Sequence, residues 1–539
     1  MLSLKFTPFV KLRLFASYPI LTILGILARS YGVIIRIIRG KRSPIGIWFA
    51  GGFPALASIE GAIGLRLLSQ GEDVTAIVCD GVNPACMQRD SKTSPLESLG
   101  LNDSFKSNCG NCFSNCSREL IKFGIKVQPF SEYITQGTVS SVEGQARNLI
   151  SSDNGLAPTY SHRGIDFESI LKSSLTRYYK SPNQSFWEDS AKAQFTAAII
   201  LNIEIASEWL KRNHFSNVLM SHGVYSDFSP ALRVATTRGI PVTYYSGGHV
   251  PFAYFFRRLH EGADLSTRRI SDESWHSQLE HLGAKEVAIL DSYVQDRYTS
   301  AHSSDLYGMP LSQPTERALE ESYWLVLAHL NWDATADLTP MLYRNFDVWI
   351  LETIKLAIKI PGINWKIKLH PAEIASGGRH GVGELISTNF PKLPKNIEII
   401  THNDSNTLDL IKQSSGVITC YGTSGLEAAT FGIPTILAGE AYYGRKGFTL
   451  DPQTIEEYES LLLDIGQISK LDDTQKELAK KFAYLVWIEH QYILDWLDDS
   501  NVTNKQKKKS LMLHDKNAIR IFKQKSVMSK ITAQHLSQY

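Results

Sequence analysis

Residues 416–437 read GVITCYGTSGLEAATFGIPTIL, and the order of their patterns decides the fold. Gly416–Cys420 is a short, almost continuous apolar run, as expected of a strand covered on both faces. Tyr421-Gly422-Thr423-Ser424 then opens a helix over Gly425–Phe431. Gly432-Ile433 closes it, and Pro434–Leu437 begins another apolar strand. A strand, a helix and a second strand in so little chain is the unit of a parallel sheet.

The rhythm extends upstream. Trp324–His329, Trp365–Leu369 and Asn396–Ile400 have strand character, with helices near Met341–Ile360 and Thr407–Gln413. Residues 454–500 are helical in pattern and rich in Glu, Leu and Trp. The first half repeats the theme. Ile45–Ala50 (IGIWFA) is a strand ending at Gly51-Gly52-Phe53-Pro54, followed by a helix from about Leu56 to Leu68 and a strand at Asp73–Cys79. Residues 81–185 show no clear period. Order returns with a helix at Ala191–Arg212, a strand at Asn217–Ser221, a helix at Phe228–Arg238 and a strand at Val242–Tyr245. The expectation is an α/β protein of two doubly wound, Rossmann-like domains facing a cleft and closed by C-terminal helices. Its parts are a basic apolar segment at 1–42, a first domain at 43–301 carrying a cysteine-rich insertion, and a polar linker at 302–317. A second domain at 318–500 and a basic tail at 501–539 complete it.

The 539 residues, 43% hydrophobic and 20% charged with a mean hydropathy of −0.14, exclude global disorder and a polytopic membrane protein. Six cysteines in this length exclude a small disulfide scaffold. The net charge of +2 conceals a split: residues 1–59 hold no acid and carry +8, residues 501–539 carry +8, and the body between carries −14. Residues 14–28 and 31–38 are apolar, and Arg29 interrupts them before a full membrane span is reached. An interfacial helix on an anionic membrane surface and an ordinary packed helix both remain open. No small-residue cleavage site precedes the basic stretch, so a cytoplasmic protein, peripheral on the inner membrane face, is expected. Lys507–Lys509 lack interleaved aromatics, so no nucleic-acid partner is expected.

Ligands of open α/β sheets bind beyond the carboxyl ends of strands. The residues in those places are His370, Pro371 and Glu373; Tyr421, Gly422, Thr423, Ser424, Gly425 and Glu427; and Arg445 with Lys446. The Gly-Thr-Ser-Gly helix start offers free N–H groups to a phosphate. Glu427 is spaced for a ribose hydroxyl, His370 for a phosphate or a leaving group, and Arg445 and Lys446 for a diphosphate. Together they suit a nucleotide sugar without a catalytic metal. The chain has neither a Gly-x-x-x-x-Gly-Lys-[Ser/Thr] nor a Gly-x-Gly-x-x-Gly motif.

IKLHPAE at 367–373, YGTSGLEAATFGIPTILAG at 421–439 and YYGRKGFTLDP at 442–452 resemble the capsule polysaccharide biosynthesis family. That family includes bacterial transferases of 3-deoxy-manno-octulosonic acid and has the two-domain glycosyltransferase B fold. LNWDATADL at 330–338 and SHGVYSDFSPALRVATTRGIPVTYY at 221–245 extend the likeness. The resemblance implies donor phosphate on His370 and Pro371, and phosphate and ribose on Thr423, Ser424 and Glu427. It lines the cleft with Asn331, Trp332 and Asp333, facing His222 and Tyr225 on the acceptor wall, with the Gly51-Gly52 loop beside them. His222, Asp227 and Glu60 are the candidates for a general base, His222 first. The donor stays open among CMP-, UDP- and GDP-linked sugars, and the acceptor is a polysaccharide or a lipid-linked glycan. A polyol-phosphate transferase, a nucleotide-sugar epimerase and a non-catalytic assembly protein are the alternatives on the same fold.

Five of the six cysteines lie in Cys79–Cys116. Cys86, Cys109, Cys112 and Cys116 suggest a structural zinc or an iron–sulfur cluster in a reducing compartment. Cys420 falls on a buried strand.

Overall fold

The computed structural model describes residues 19–39, 44–52, 54–90, 104–151, 160–250, 252–260, 275–299, 322–333, 341–370, 373, 381–401, 406–494 and 525–536. The linker expected at 302–317 lies outside them, as does Pro371. The first sheet contains β1 (Ile45–Phe49), β2 (Val74–Val78), β3 (Lys126–Pro129), β6 (Asn217–Ser221), β7 (Val242–Gly247), β8 (Ala253–Leu259) and β14 (Tyr492–Ile493). Its order is β14-β8-β7-β6-β1-β2-β3, and a small hairpin of β4 (Ser161–His162) and β5 (Ile165–Asp166) stands apart. The second sheet runs β11-β10-β9-β12-β13, from Ile397–Ile400, Asn364–Lys368, Tyr323–Leu327, Gly416–Thr419 and Thr435–Leu437 in that order. Every pairing in the second sheet is parallel; in the first, only β8 with β7 and β14 with β8 are antiparallel.

The continuous apolar strands feed two cores each. Successive side chains of a strand point to opposite faces, so Trp48 enters one core of the first domain while Ile45, Ile47 and Phe49 enter the other. Trp324 and Val326 likewise face one side of the second sheet, and Tyr323, Leu325 and Leu327 the other. All five residues of β1 and of β9 are buried.

The packing does not follow the boundaries drawn at 301 and 500. The helices Trp275–Leu279 and Ala284–Thr299 join a core with Leu426, Tyr443 and Phe482 of the second domain. In return, β14 pairs with β8 at Tyr492↔Tyr254 and Ile493↔Ala253. Leu494, Met528, Ile531 and Leu536 then join the core of the first domain. The stretch expected to be one helical closure at 454–500 is broken into Ile455–Leu463, Asp473–Tyr484, a π turn at Leu485–Glu489, and that strand. Its breaks are written in caps: Thr454 accepts from Glu457 N, and Asp472 forms a capping box with Gln475.

A crevice opens where neighbouring strands send their connections to opposite sides of a sheet. In the first sheet that place is between β1 and β6, above Gly51-Gly52 and His222. In the second it is between β9 and β12, above His329 and Gly422.

Candidate active site at two facing crevices

At the first crevice the chain leaves β6 through backbone angles that side chains seldom adopt. The φ angles are +58° at His222, +72° at Gly223 and +64° at Tyr225. Such strain persists where surrounding contacts over-determine it. Here the Asn202 amide donates to Ser226 O at 2.8 Å, Ser226 N donates to Ser174 Oγ at 2.9 Å, and Trp48 Nε1 donates to Asp227 O at 2.9 Å. The result lifts the His222 side chain to the surface of the crevice while Ser221, Ser226 and Asp227 stay buried behind it. Enclosure by protein lowers the His222 pKa, the nearby Arg177 guanidinium lowers it further, and Asp333 opposes them.

Two of the sequence candidates for a base lie away from that surface. Asp227 is 1% exposed and accepts from Ser226 Oγ at 3.1 Å. Glu60 is fully buried, takes a hydrogen bond from Tyr245 OH at 3.2 Å, and is held protonated well above the usual carboxylate range by that burial.

The cysteine-rich helix Ser104–Ile121 supports the neighbouring loop rather than a metal. Gly52 N donates to Cys112 Sγ at 3.1 Å, and Gly51 and Gly52 both have φ beyond +90°. Among the described residues no group of three or more His, Cys, Asp and Glu is gathered to hold a metal ion. This corrects the zinc or iron–sulfur expectation for Cys86, Cys109, Cys112 and Cys116. The helix gives the reason: seven residues at 1.5 Å rise put Cys109 and Cys116 about 10 Å apart along its axis, too far for one tetrahedral ion. Cys116 is fully buried, with its thiol pushed up by its hydrogen bond to Cys112 and by burial. Cys420 is buried in the second core, where its strand placed it.

The second crevice is ordinary in its backbone and dense in hydrogen bonds. β12 passes into the helix Thr423–Thr430, whose cap residue Gly422 makes no side-chain capping bond. Tyr421, Gly422, Thr423 and Ser424 are partly exposed there. Tyr443 OH donates to Gly422 O at 2.6 Å, and Gly422 N donates to Thr419 Oγ1 at 3.3 Å. A Cβ on Gly425 would meet Tyr443 OH at 2.1 Å, so this glycine lets the tyrosine lock the helix start. His329 braces the same turn: Cys420 N donates to its Nε2 at 3.2 Å, and Thr419 Oγ1 lies 2.9 Å away. Its ring stacks on Phe346 at 4.5 Å, and burial followed by the nearby His370 lowers its pKa to about 3. His329 is therefore neutral, with Nε2 as acceptor. It follows β9 directly, so the strand-end rule itself points to it, although the sequence reading passed it over.

His370 ends β10, half-buried beside His329. Glu373 Oε1 accepts from Gly383 N at 3.1 Å. The Asn331 amide donates to Asp347 Oδ1 at 3.0 Å, and burial pushes Asp347 up to about 6, against that hydrogen bond and with help from Glu373. Arg445 is paired with Glu440 at 2.9 Å, and the buried Lys446 ammonium lies 5.3 Å above the Trp275 ring.

The two crevices touch. Tyr225 OH donates to Asp333 Oδ1 at 3.4 Å, and the Arg177 guanidinium lies 4.3 Å over the Trp332 ring. Tyr225 and Asp333 meet directly, His222 lies near Asp333, and Trp332 lies under Arg177. Arg177 belongs to the stretch that showed no period. A second bridge went unread. His249 Nε2 lies 3.1 Å from Glu427 Oε1, His249 Nδ1 lies 3.1 Å from Tyr293 OH, and the ring stacks on Trp487 at 4.0 Å. Both side chains are all but fully buried. Glu427 thereby faces the first domain.

Residues 350–460 match the family model described as capsule polysaccharide biosynthesis protein. The resemblance read from His370, Tyr421–Gly439 and Tyr442–Pro452 is borne out over that segment. No curated protein sequence matches the chain. Among solved structures, the β-Kdo 2,4-transferase of Thermosulfurimonas dismutans KpsC is 15% identical, with 50% of this chain and 79% of that chain covered and a TM-score of 0.31. The β-Kdo 2,7-transferase of the same KpsC is 13% identical over 54% and 84% of the two chains, with a TM-score of 0.35. The Methanocaldococcus jannaschii UDP-GlcNAc 2-epimerase, solved with UDP-GlcNAc and UDP, is 12% identical over 82% and 99%, with a TM-score of 0.29.

Proposed function

We propose that the protein is a glycosyltransferase of surface-polysaccharide synthesis, moving a sugar from a nucleotide donor to a glycan or lipid-linked glycan acceptor on the cytoplasmic side. One observation carries this reading: a strained loop bearing a solvent-reachable histidine meets, across the domain boundary, Asp333 of the domain whose own crevice holds a helix start braced by partly buried hydrogen bonds. The match of residues 350–460 supports it.

The helix N-terminus at Thr423 and Ser424 would hold the donor phosphate through backbone N–H groups and hydroxyls, since N–H groups pointing out of a helix start and the helix dipole favour an anion there. His370, near His329, would donate to a phosphate oxygen. His222 would take the acceptor hydroxyl proton as the acceptor oxygen bonds to the anomeric carbon. The bond from that carbon to the phosphate oxygen breaks in the same step, and its electron pair leaves with the nucleotide. The lowered pKa of His222 keeps the imidazole neutral and ready to accept a proton at pH 7. Glu427 we assign to the contact between domains, because its carboxylate is buried against His249.

Thermal shift with CMP, UDP and GDP tests the donor half, as a bound ligand stabilises the fold by mass action. A selective shift that is lost in His370→Ala is expected. No shift with any nucleotide overturns the reading.

A further inference from the structure

We infer that the helix Pro19–Arg39 docks the protein in the plane of an anionic phospholipid surface, with its outer face in the acyl boundary and its arginine edge among the headgroups. The helix has two different sides. Its inner side is fastened to the first domain by contacts only small residues permit. A Cβ on Gly25 would lie 2.6 Å from Gly124 N, and one on Gly32 would lie 2.2 Å from Leu68 O. Leu21 is fully buried in the core that holds Phe123. The outer side is apolar and bare: Ile23, Ile26, Leu27, Ile34, Ile37 and Ile38 are 42%, 54%, 58%, 53%, 78% and 73% exposed. At about 100° per residue these six fall in one arc, interrupted by Ser30 alone among polar residues and by no charge. Contiguous exposed apolar surface of this kind marks an interaction face.

Charge selects lipid as the occupant. Arg29 and Arg36 lie together along one edge of the apolar arc, and the helix contains no acidic residue. Arg36 also pairs with Asp73 at 3.4 Å, which fixes that edge to the body. Residues 1–59 carry +8. The helix Lys525–Ile531 of the second basic segment, also +8, packs into the same core as Leu21 through Met528 and Ile531. Both helices pack against the helix Pro54–Ser69 of the first domain, and the sequence segments they belong to carry +8 each while the body carries −14. An anionic surface attracts the Arg29 and Arg36 edge and the basic segments, and repels the acidic body, so charge favours this approach before the apolar arc inserts. The fastened inner side fixes the depth: the helix lies along the interface and does not cross the bilayer.

Co-sedimentation of the full chain with vesicles tests this. Vesicles of phosphatidylcholine with phosphatidylglycerol should bind the protein, phosphatidylcholine alone should bind it far less, and added salt should weaken binding. The double variant Ile34→Asp/Ile37→Asp should lower binding about tenfold or more, because an inserted apolar face is what it removes. Its thermal melting curve should be unchanged, since both positions are exposed. Equal binding by the double variant would overturn the inference. So would absence of binding to either vesicle, or self-association in analytical ultracentrifugation that the double variant abolishes, which would assign the face to a second copy. Retention in the vesicle pellet after alkaline carbonate washing would overturn the in-plane placement. None of these readouts depends on transferase activity, so their failure is separate from failure of the proposed function.

Discussion

At the first crevice the backbone is bent out of its ordinary range, with φ of +58° at His222 and +64° at Tyr225. At the second, β12 enters an ordinary helix through Gly422, pinned by Tyr443 and His329. One wall presents a side chain by strain, and the other presents backbone donors by regular structure. The difference suits a division of labour. Phosphate recognition needs aligned N–H groups, which any helix start supplies. A proton acceptor needs one imidazole placed exactly once, and a strained loop held from behind does that.

Removing His222 should therefore show the largest effect. His222→Ala should lower kcat by roughly 10²–10⁴-fold, the usual contribution of a general base, with donor-induced thermal shift retained. Loss of donor binding together with turnover would instead merge the two walls into one site. The pH profile sharpens the same contrast. A base must be unprotonated, and the His222 pKa is lowered, so activity should persist as pH falls below 6.5, the ordinary histidine value, and decline only through the lowered pKa. An acid limb above 6.5 would exclude His222 as the titrating base.

His249→Ala should come next, as a stability effect. It leaves the Glu427 carboxylate buried without its partner, at a cost of about 3 kcal/mol, read as a lower Tm. The double variant with Glu427→Ala should cost less than the sum of the two, because both single changes remove the same contact.

On the second wall, His329→Gln should weaken nucleotide binding about tenfold by loosening the turn at Gly422, a change of about 1.4 kcal/mol. It should also alter acid stability. With the folded pKa at about 3, the unfolded chain binds the proton first, so native His329 removes stability as pH falls from about 6.5 toward 3. The variant should lose less over that window. The smallest effect belongs to Arg445→Ala, expected below about 0.5 kcal/mol in stability and without consequence for nucleotide affinity, because its ion pair with Glu440 is exposed.

The second wall was the more legible. β9 to β13 were visible as apolar runs because strands covered on both faces need no alternation. The helix expected from Met341 begins at Phe346 because Asn345 caps it, its side chain accepting from Val348 N at 2.9 Å. The rest was hidden for two reasons. Around residues 81–185 the helix Glu168–Tyr179 that carries Arg177 buries Ser173, Ser174 and Thr176 beside Leu171 and Leu175, so its inner face is not written as an apolar period. The His249–Glu427 bridge joins residues 178 positions apart, and no local pattern encodes a partner that distant. His329 was hidden for neither reason. It occupied a strand end like the others, in a motif whose Asn331, Trp332 and Asp333 drew the eye past it.

The exchange of segments between the domains has its own consequence. Tyr492 and Ile493 form the edge strand β14 of the first sheet, pairing with β8 at Tyr254 and Ala253. A protein cut before residue 490 would present the bare edge of β8 at Ala253 and Tyr254, with ladder groups awaiting a partner. Such edges recruit strands from other molecules. The two-residue strand thus covers the start of that edge. It also means that this part of β8 stays uncovered until Tyr492 and Ile493 have been synthesised.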